Sequence, residues 1–505
     1  MTTDAERPDR VTNEPETFDV VVIGAGLSGI GVARHLRAAF PDLSIVILDA
    51  RAAIGGTWDL FRYPGVRSDS DLHTYGYAFK PWTGPDAIAS GSAILGYLDE
   101  AIDEGDLRSA VRLGHRVERI TWSSDVERWT VEATAGDRPV RITSRFVVAA
   151  TGYYRYDHGH EPEFADREAF GGTIVHPQHW PADLDCTGRR VVVIGSGATA
   201  ATIVPALAET AAHVTMLQRS PTYYVSLPRR DRIADALRRR MSEERAYAWV
   251  RRKNVVTSTA SYRLLRRFPR LARRLLVRGV ARRLPVGYDV DRHFTPDYDP
   301  WDQRVCLTPD GDLFAAIAAG RASVVTDTVA GFTERGVRTG SGDELVADVV
   351  VTATGLELLA LGGIEVVVDG ERRDPADRLV YKSAMLHEVP NLVFVFGYTN
   401  ASWTLKVDLV AEWLCRCLAE MRRRGATTVI AVPDDPAMPT APMLELTSGY
   451  VRRAVDHFPR QGTGPWSVAM DPRVDRRRLV RDPIDDGVLR FGRVAHGVPV
   501  GREVP

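Results

Sequence analysis

Apolar and polar positions divide the chain into two units of similar plan. Residues 18–23, Phe-Asp-Val-Val-Val-Ile, form a nearly unbroken apolar run. That is the pattern of a strand covered on both faces. Residues 30–39 then show helical apolar spacing, and residues 44–48 predict a second strand ending on Asp49. The same order returns with a strand at 190–194, a helix at 202–209 and a strand at 213–217. Each unit closes on an apolar strand that runs into Ala-Thr-Gly, at 146–152 and again at 346–355. Between 107 and 143 the pattern alternates, which predicts an antiparallel meander inserted in the first unit. Residues 391–397 predict a strand returning to the first unit, 409–421 an amphipathic helix, and 473–493 a charged tail over the surface.

The repeat predicts an α/β protein with two Rossmann-like dinucleotide-binding domains, the second inserted into the first, and an added helical insertion. The predicted layout begins with a disordered tail at 1–17. The first domain is discontinuous, at 18–152 and 385–505. An interdomain linker follows at 153–189. The second domain covers 190–228 and 300–355, interrupted by a basic helical insertion at 229–299. A return linker occupies 356–384.

Both strand–helix turns are glycine-rich. Gly24, Gly26 and Gly29 form G-x-G-x-x-G, and Gly195, Gly197 and Ala200 form the G-x-G-x-x-A variant. The first glycine permits the tight turn, the second admits a pyrophosphate to the backbone N–H groups, and the third lets helix and strand pack closely. A glycine-rich turn can be only a turn; the flanking strand, helix and distal acid favour a nucleotide. Asp49 is placed to accept ribose hydroxyls. The second unit ends instead on Gln218-Arg219-Ser220. A carboxylate there would repel a 2′-phosphate, whereas Arg219 can pair with one, so NADPH is expected over NADH.

Composition narrows the partners. At 505 residues with net charge −1 and 44% apolar content, nothing points to nucleic acid, and the preference for Arg over Lys reads as coding bias. The polar N-terminal stretch lacks the apolar core of a signal peptide, no apolar run reaches a membrane span, and cytoplasmic residence is the default expectation. Cys186, Cys306, Cys415 and Cys417 fit neither a zinc site nor the close cysteine pair of a flavin-linked disulfide reductase. Residues 55–69 predict a long irregular loop, either a ligand-binding loop with Trp58 as a flat wall or a surface turn with a buried Trp. His176 is a candidate general base by type, but Pro177 beside it favours a rigid linker. Residues 229–283 hold nineteen Lys/Arg against four Asp/Glu, with an apolar face through Leu264, Leu265, Phe268, Leu271, Leu275, Leu276 and Val280. We read this as a solvated insertion packed on the second domain, and keep weak peripheral membrane contact as the second reading.

Two further patterns carry a family resemblance. Phe170, Gly172, His176, Trp180 and Pro181 match F-x-G-x-x-x-H-x-x-x-W-P in full. Gly55, Gly56, Trp58, Tyr63, Pro64, Gly65 and Asp69 match [AG]-G-x-W-x-x-x-x-[FY]-P-[GM]-x-x-x-D. With the two glycine loops, the chain resembles the FAD- and NADPH-dependent Baeyer–Villiger monooxygenases (class B flavoprotein monooxygenases) over residues 18–493, and within them the ethionamide-activating subfamily. The resemblance implies that Ser28 and Asp49 touch the FAD phosphates and ribose. It places Thr57, Trp58, Asp59 and Leu60 along the flavin and the Val117 backbone at the adenine. Arg67, Ser68 and Asp69 would lie where flavin and nicotinamide meet. Ser196, Gly197, Ala198 and Thr199 would hold the NADPH pyrophosphate, with Arg219 and Ser220 on its 2′-phosphate. Arg304 would be the active-site arginine, assisted by Asp69, and His176 would shape domain motion. The implied activity converts a ketone to an ester or lactone with O2 through a flavin C4a-peroxide. S- or N-oxygenation of sulfides or thioamides is the alternative, and a non-oxygenating NADPH–flavin reductase a remote one. Two positions depart from the pattern: Gln303 stands where many relatives carry Lys, and Gly397 is followed by Tyr398 rather than Asp.

Overall fold

The computed structural model describes residues 15–492. The expected tail therefore lies outside the described residues except at its end, where the first strand, Glu16–Ile23, begins two residues earlier than the pattern suggested. Its neighbours on both sides are parallel. Val20 faces Ile45 in the strand Ile45–Leu48 and Phe146 in the strand Arg138–Ala149. Burial from both faces removes the polar alternation a half-exposed strand would keep. The helix Leu27–Ala39 follows the first glycine turn. Gly31 on this helix is required: a Cβ there would meet the Tyr77 ring at 2.7 Å and Val407 at 2.8 Å. The close approach seats the helix Thr404–Arg424 against it.

The first sheet has nine strands. The meander and the strand into Ala149-Ala150-Thr151-Gly152 are not separate: Arg138–Ala149 is one strand of twelve residues. Its outer part pairs antiparallel with Arg128–Ala135, and its inner part runs parallel to Glu16–Ile23 and to the returning strand Leu392–Phe394. The antiparallel edge is pinned by Trp122 opposite Trp129, both fully buried, with ring centroids 5.5 Å apart.

The second domain is a five-stranded parallel sheet in the order Ala322–Thr326, His213–Gln218, Arg190–Ile194, Val349–Thr352, Thr173–Val175. Both expected linkers need correction. Thr173–Val175 lies in the stretch read as linker, yet it forms the edge of this sheet beside Val349–Thr352. Three residues are too few to show a period. In the stretch read as return linker, Glu365–Val368 pairs in parallel with His115–Ser123, so this segment already belongs to the first sheet.

The insertion contains the helices Arg232–Arg238, Glu243–Arg267, Pro269–Ala281 and Val290–Phe294. It does not rest on the second domain alone. Glu243–Arg267 packs on the first domain: the Tyr247 hydroxyl donates to the Tyr77 carbonyl (2.9 Å), Asn254 to Asp71 (2.8 Å), and Arg251 to Asp408 (2.9 Å). These anchors are polar, so an apolar periodicity misses them. Pro269–Ala281 sends Val280 into the core of the second domain.

The C-terminal stretch is more than a surface wrap. Leu479 is fully buried, and Leu489–Gly492 pairs antiparallel with Thr428–Ala431. Asp475 enters the core, where it pairs with Lys406 at 2.5 Å and accepts a hydrogen bond from the Tyr398 hydroxyl (2.7 Å). Both side chains of the ion pair are 2% exposed. Asp475→Asn should leave the Lys406 charge uncompensated and lower the unfolding free energy by about 3–5 kcal/mol. The double replacement Lys406→Met/Asp475→Leu should recover most of that loss. Chemical denaturation of the three proteins reads this; a single variant as stable as the parent would contradict it.

Candidate active site

A cleft of about 560 Å³ is lined by residues of both domains. On the first-domain side Gly24 has φ +110°, and a Cβ there would lie 2.5 Å from the Ala150 carbonyl oxygen. Gly29 meets Gly24 in the same way, at 1.8 Å from its oxygen. This packing leaves Gly26 as the N-cap of the helix Leu27–Ala39, with no side-chain cap and no acid in the first turn. The free N–H groups and the helix dipole together favour an anion. Gly56 closes on this turn from the opposite loop: its own Cβ would sit 3.2 Å from the Gly26 Cα. The second-domain helix Ala198–Leu207 is likewise uncapped at Gly197, and Ala198, Thr199 and Thr202 line the same cleft.

The expected residues divide in their placement. Gly24, Gly26, Ser28, Asp49, Gly56, Thr57, Trp58, Arg67, Ser68, Asp69 and Val117 lie on the cleft wall. Asp49 is buried, and its carboxylate accepts the N–H groups of Ala25 (2.7 Å) and Arg51 (2.8 Å). Burial raises its pKa despite those bonds. The Ser28 Oγ accepts the Trp403 indole N–H at 2.7 Å. Asp59 and Leu60, expected beside Thr57 and Trp58, are buried and do not reach the cleft; Asp59 is engaged by Arg51 and Arg62. In the short helix Thr57–Leu60, successive residues turn to different sides. Gly195, Ser196, Gly197, Arg219 and Ser220 are off the cleft wall. Ser196 donates to the Ser220 carbonyl at 3.1 Å, which fastens the two expected phosphate-binding turns together. Arg219 is exposed, and no carboxylate pairs with it among the described residues.

Two ion pairs cross between the domains with opposite polarity. Arg67 of the first domain donates to Asp312 of the second at 2.5 Å. Asp69 of the first pairs with Arg304 of the second at 3.2 Å. Arg304 stands two residues before the strand Cys306–Pro309, which is fixed in parallel beside Tyr224–Leu227. Its Nε donates to the Thr399 carbonyl at 3.0 Å. Burial opposes the charge on Arg304, but the Asp69 carboxylate together with the Tyr153, Tyr450 and Tyr154 hydroxyls outweighs it, and the guanidinium is held above its ordinary pKa. Arg304 is therefore a fixed cation at this wall.

An aromatic wall stands beside Arg304, and its tyrosines were not legible in the motifs. Tyr153 stacks on Trp403 at 5.1 Å and 8°, and the hydroxyls of Tyr153 and Tyr154 bond each other at 2.9 Å. The signal was positional: both tyrosines follow the first Ala-Thr-Gly directly. Cys306 also lines the cleft, but burial pushes its thiol up to about 12, so it is no nucleophile at neutral pH. Asp408 is remote from the cleft wall, held by Arg251, His35 and the Ala78 N–H. No cluster of metal-ligating side chains occurs among the described residues.

The linker motif is structural in its contacts. Gly172 admits no Cβ, which would fall 2.5 Å from the Asp348 carbonyl oxygen. Phe170 is buried in a small core of the second domain, and Trp180, followed by the exposed Pro181, packs on that domain's main core. His176 accepts the Gln178 N–H on Nδ1 (3.2 Å), and its Nε2 faces the Gly355 carbonyl at 3.2 Å. Only the neutral ring with the proton on Nε2 satisfies both. The imidazole thus clasps the second Ala-Thr-Gly exit and is not aimed at the cleft wall.

The chain is similar to known proteins over nearly its whole length. A family model described as pyridine nucleotide-disulphide oxidoreductase matches residues 21–260. The FAD-containing monooxygenase EthA of Mycolicibacterium smegmatis is 48% identical over 478 residues, covering 94% of this chain and 97% of that protein. EthA of Mycobacterium tuberculosis is 48% identical over 488 residues, covering 96% and 99%. Among solved structures, an oxidized steroid monooxygenase bound to NADP superposes with TM-score 0.75 at 23% identity, covering 94% of this chain and 99% of that one.

Burial holds the His176 pKa below its ordinary value of 6.5, against the pull of the Gly355 carbonyl and Glu161. A depressed folded-state value means that protonation favours the opened or unfolded chain. The clasp's contribution is present above pH 6.5 and is lost as pH falls through the folded value. His176→Gln should therefore narrow the difference in melting temperature between about pH 7.5 and about pH 5.5. An unchanged difference would contradict the assignment.

Proposed function

Because this chain belongs to the FAD-containing monooxygenases, we propose that it binds FAD and NADPH and inserts one atom of O2 beside a ketone carbonyl, giving an ester or lactone. The observation that carries the reading is the Arg304–Asp69 pair, set in a cleft that both bare helix N-termini face. The cradle fits FAD: an uncapped helix start suits the pyrophosphate, and the buried Asp49 carboxylate at the end of the second strand suits a ribose. Bound FAD supplies the redox chemistry, accepting hydride from NADPH and activating O2.

The chain's own groups then bind, orient and stabilise. Arg304 presents a guanidinium whose Nε is held by Thr399 and one terminal nitrogen by Asp69. The remaining N–H groups can stabilise the negative charge that develops on the substrate's carbonyl oxygen. A donor fixed before the reaction spends no energy reorienting during it. Asp69 holds the guanidinium in place, and Arg67–Asp312 fixes the neighbouring loop to the second domain. Tyr153, Trp403 and Tyr398 exclude water from the substrate side. In this reading Arg219, exposed and with no carboxylate partner among the described residues, takes the 2′-phosphate of NADPH.

Incubation with NADPH, labelled O2, and a ketone and a sulfide in parallel tests this reading. Label should enter an ester or lactone. Label only in sulfoxide would replace ketone by sulfur oxygenation, and NADPH oxidation with no label in product would make the protein a reductase. Arg304→Ala should lower ester formation by about 10²–10³ while NADPH oxidation continues as hydrogen peroxide release. Arg219→Ala should raise KM for NADPH by about 10–100-fold, the worth of one charge-assisted contact, and leave NADH use nearly unchanged. Normal ester formation by the first variant, or equal effects on both coenzymes in the second, would overturn these roles.

A further inference from the structure

The helical insertion carries a surface the cleft does not use. Residues 245–288 contain thirteen Lys/Arg and no Asp/Glu. Four of these cations find carboxylates: Arg251 with Asp408, Lys253 with Asp231, Arg263 with Asp471, and Arg266 with Asp302. Arg267, Arg270, Arg274 and Arg278 are exposed and pair with no carboxylate among the described residues. The same helices expose apolar groups. Of the twelve large hydrophobic side chains exposed among the described residues, eight fall within 229–299. Trp249, Leu264, Phe268, Leu271 and Leu275 are each more than half exposed. Leu271 and Leu275, four residues apart, share one side of the second helix, and Leu264 and Phe268 stand at the end of the helix before it. Ala272 and Val280 face the protein instead, so the exposed stripe is the outward face of an amphipathic helix.

We propose that this face docks on the surface of an anionic lipid bilayer. No helix among the described residues is long and apolar enough to cross a membrane, so the contact is in the interface plane. There the tryptophan and leucines enter the headgroup boundary, while each arginine reaches a lipid phosphate along its own stem. The competing occupants fit less of the surface. A nucleic acid would satisfy the arginines but leave Leu271 and Leu275 in water. A second copy would oppose two unpaired cationic faces. The hairpin is also rooted beside the active-site segment: Tyr262 meets Trp301 edge-on at 5.2 Å, and Arg266 pairs with Asp302.

The full chain should be sedimented with vesicles of phosphatidylglycerol and phosphatidylcholine, with vesicles of phosphatidylcholine alone, and mixed separately with short duplex DNA. Binding is expected to the anionic vesicles, weakening as salt rises. The triple variant Arg270→Gln/Arg274→Gln/Arg278→Gln should lose about a hundredfold in partitioning. Leu271→Ser/Leu275→Ser should lose about tenfold or more at unchanged charge. All of these positions are exposed, and unaltered thermal melting checks that the variants fold. No binding to anionic vesicles, equal binding to duplex DNA, or a leucine variant that binds as the parent does would overturn the proposal. So would a dimer that the leucine variant splits into monomers.

Discussion

The structure depends on keeping two helix N-termini bare. The helices Leu27–Ala39 and Ala198–Leu207 each start at a glycine, with no side-chain cap and no acid in the first turn. Unpaired N–H groups are costly unless a ligand or water meets them, so the surroundings must both expose them and exclude competing side chains. The glycine sets do this. Gly24 and Gly195 take positive φ, and any Cβ on either would collide with the carbonyl of the strand leaving that domain, at Ala150 and Ala353. Turn, helix start and exit strand are therefore fixed together in both domains, and the two domains use one solution twice.

Facing two such turns across one cleft creates a second requirement, which is relative placement. It is met by contacts between domains: Arg67 with Asp312 and Asp69 with Arg304. The ion pairs are partly exposed, so each contributes modestly to stability. Their value lies in geometry. The same Asp69 carboxylate that spans the gap also holds the Arg304 guanidinium at the cleft wall, so domain position and charge placement are set by one contact.

The parts legible from sequence were those with a period or a fixed spacing. The buried strands, both glycine turns and the returning strand Leu392–Phe394 could be read because each imposes a run or a motif. Short strands could not: Thr173–Val175 and Glu365–Val368 draw their structure from a neighbouring sheet. Nor could anchors made by polar groups, such as Arg251 on Asp408 or Lys406 on Asp475, whose partners are 157 and 69 residues away. Within the site, the family resemblance placed Thr57, Trp58, Asp59 and Leu60 along the flavin as a group, but the helical turn separates them, and two face the protein interior. Tyr153 and Tyr154 escaped the motifs because what matters for them is proximity to Arg304 in space.

The central claim is that both nucleotide cradles serve one reaction centre, and anaerobic mixing of the FAD-loaded protein with NADPH tests it most directly. Bleaching of the flavin absorbance near 450 nm in a single exchange, far faster with NADPH than with NADH, is the expected result, because the reductant must reach the flavin across this cleft. A protein that binds both nucleotides yet leaves the flavin oxidised would contradict the account.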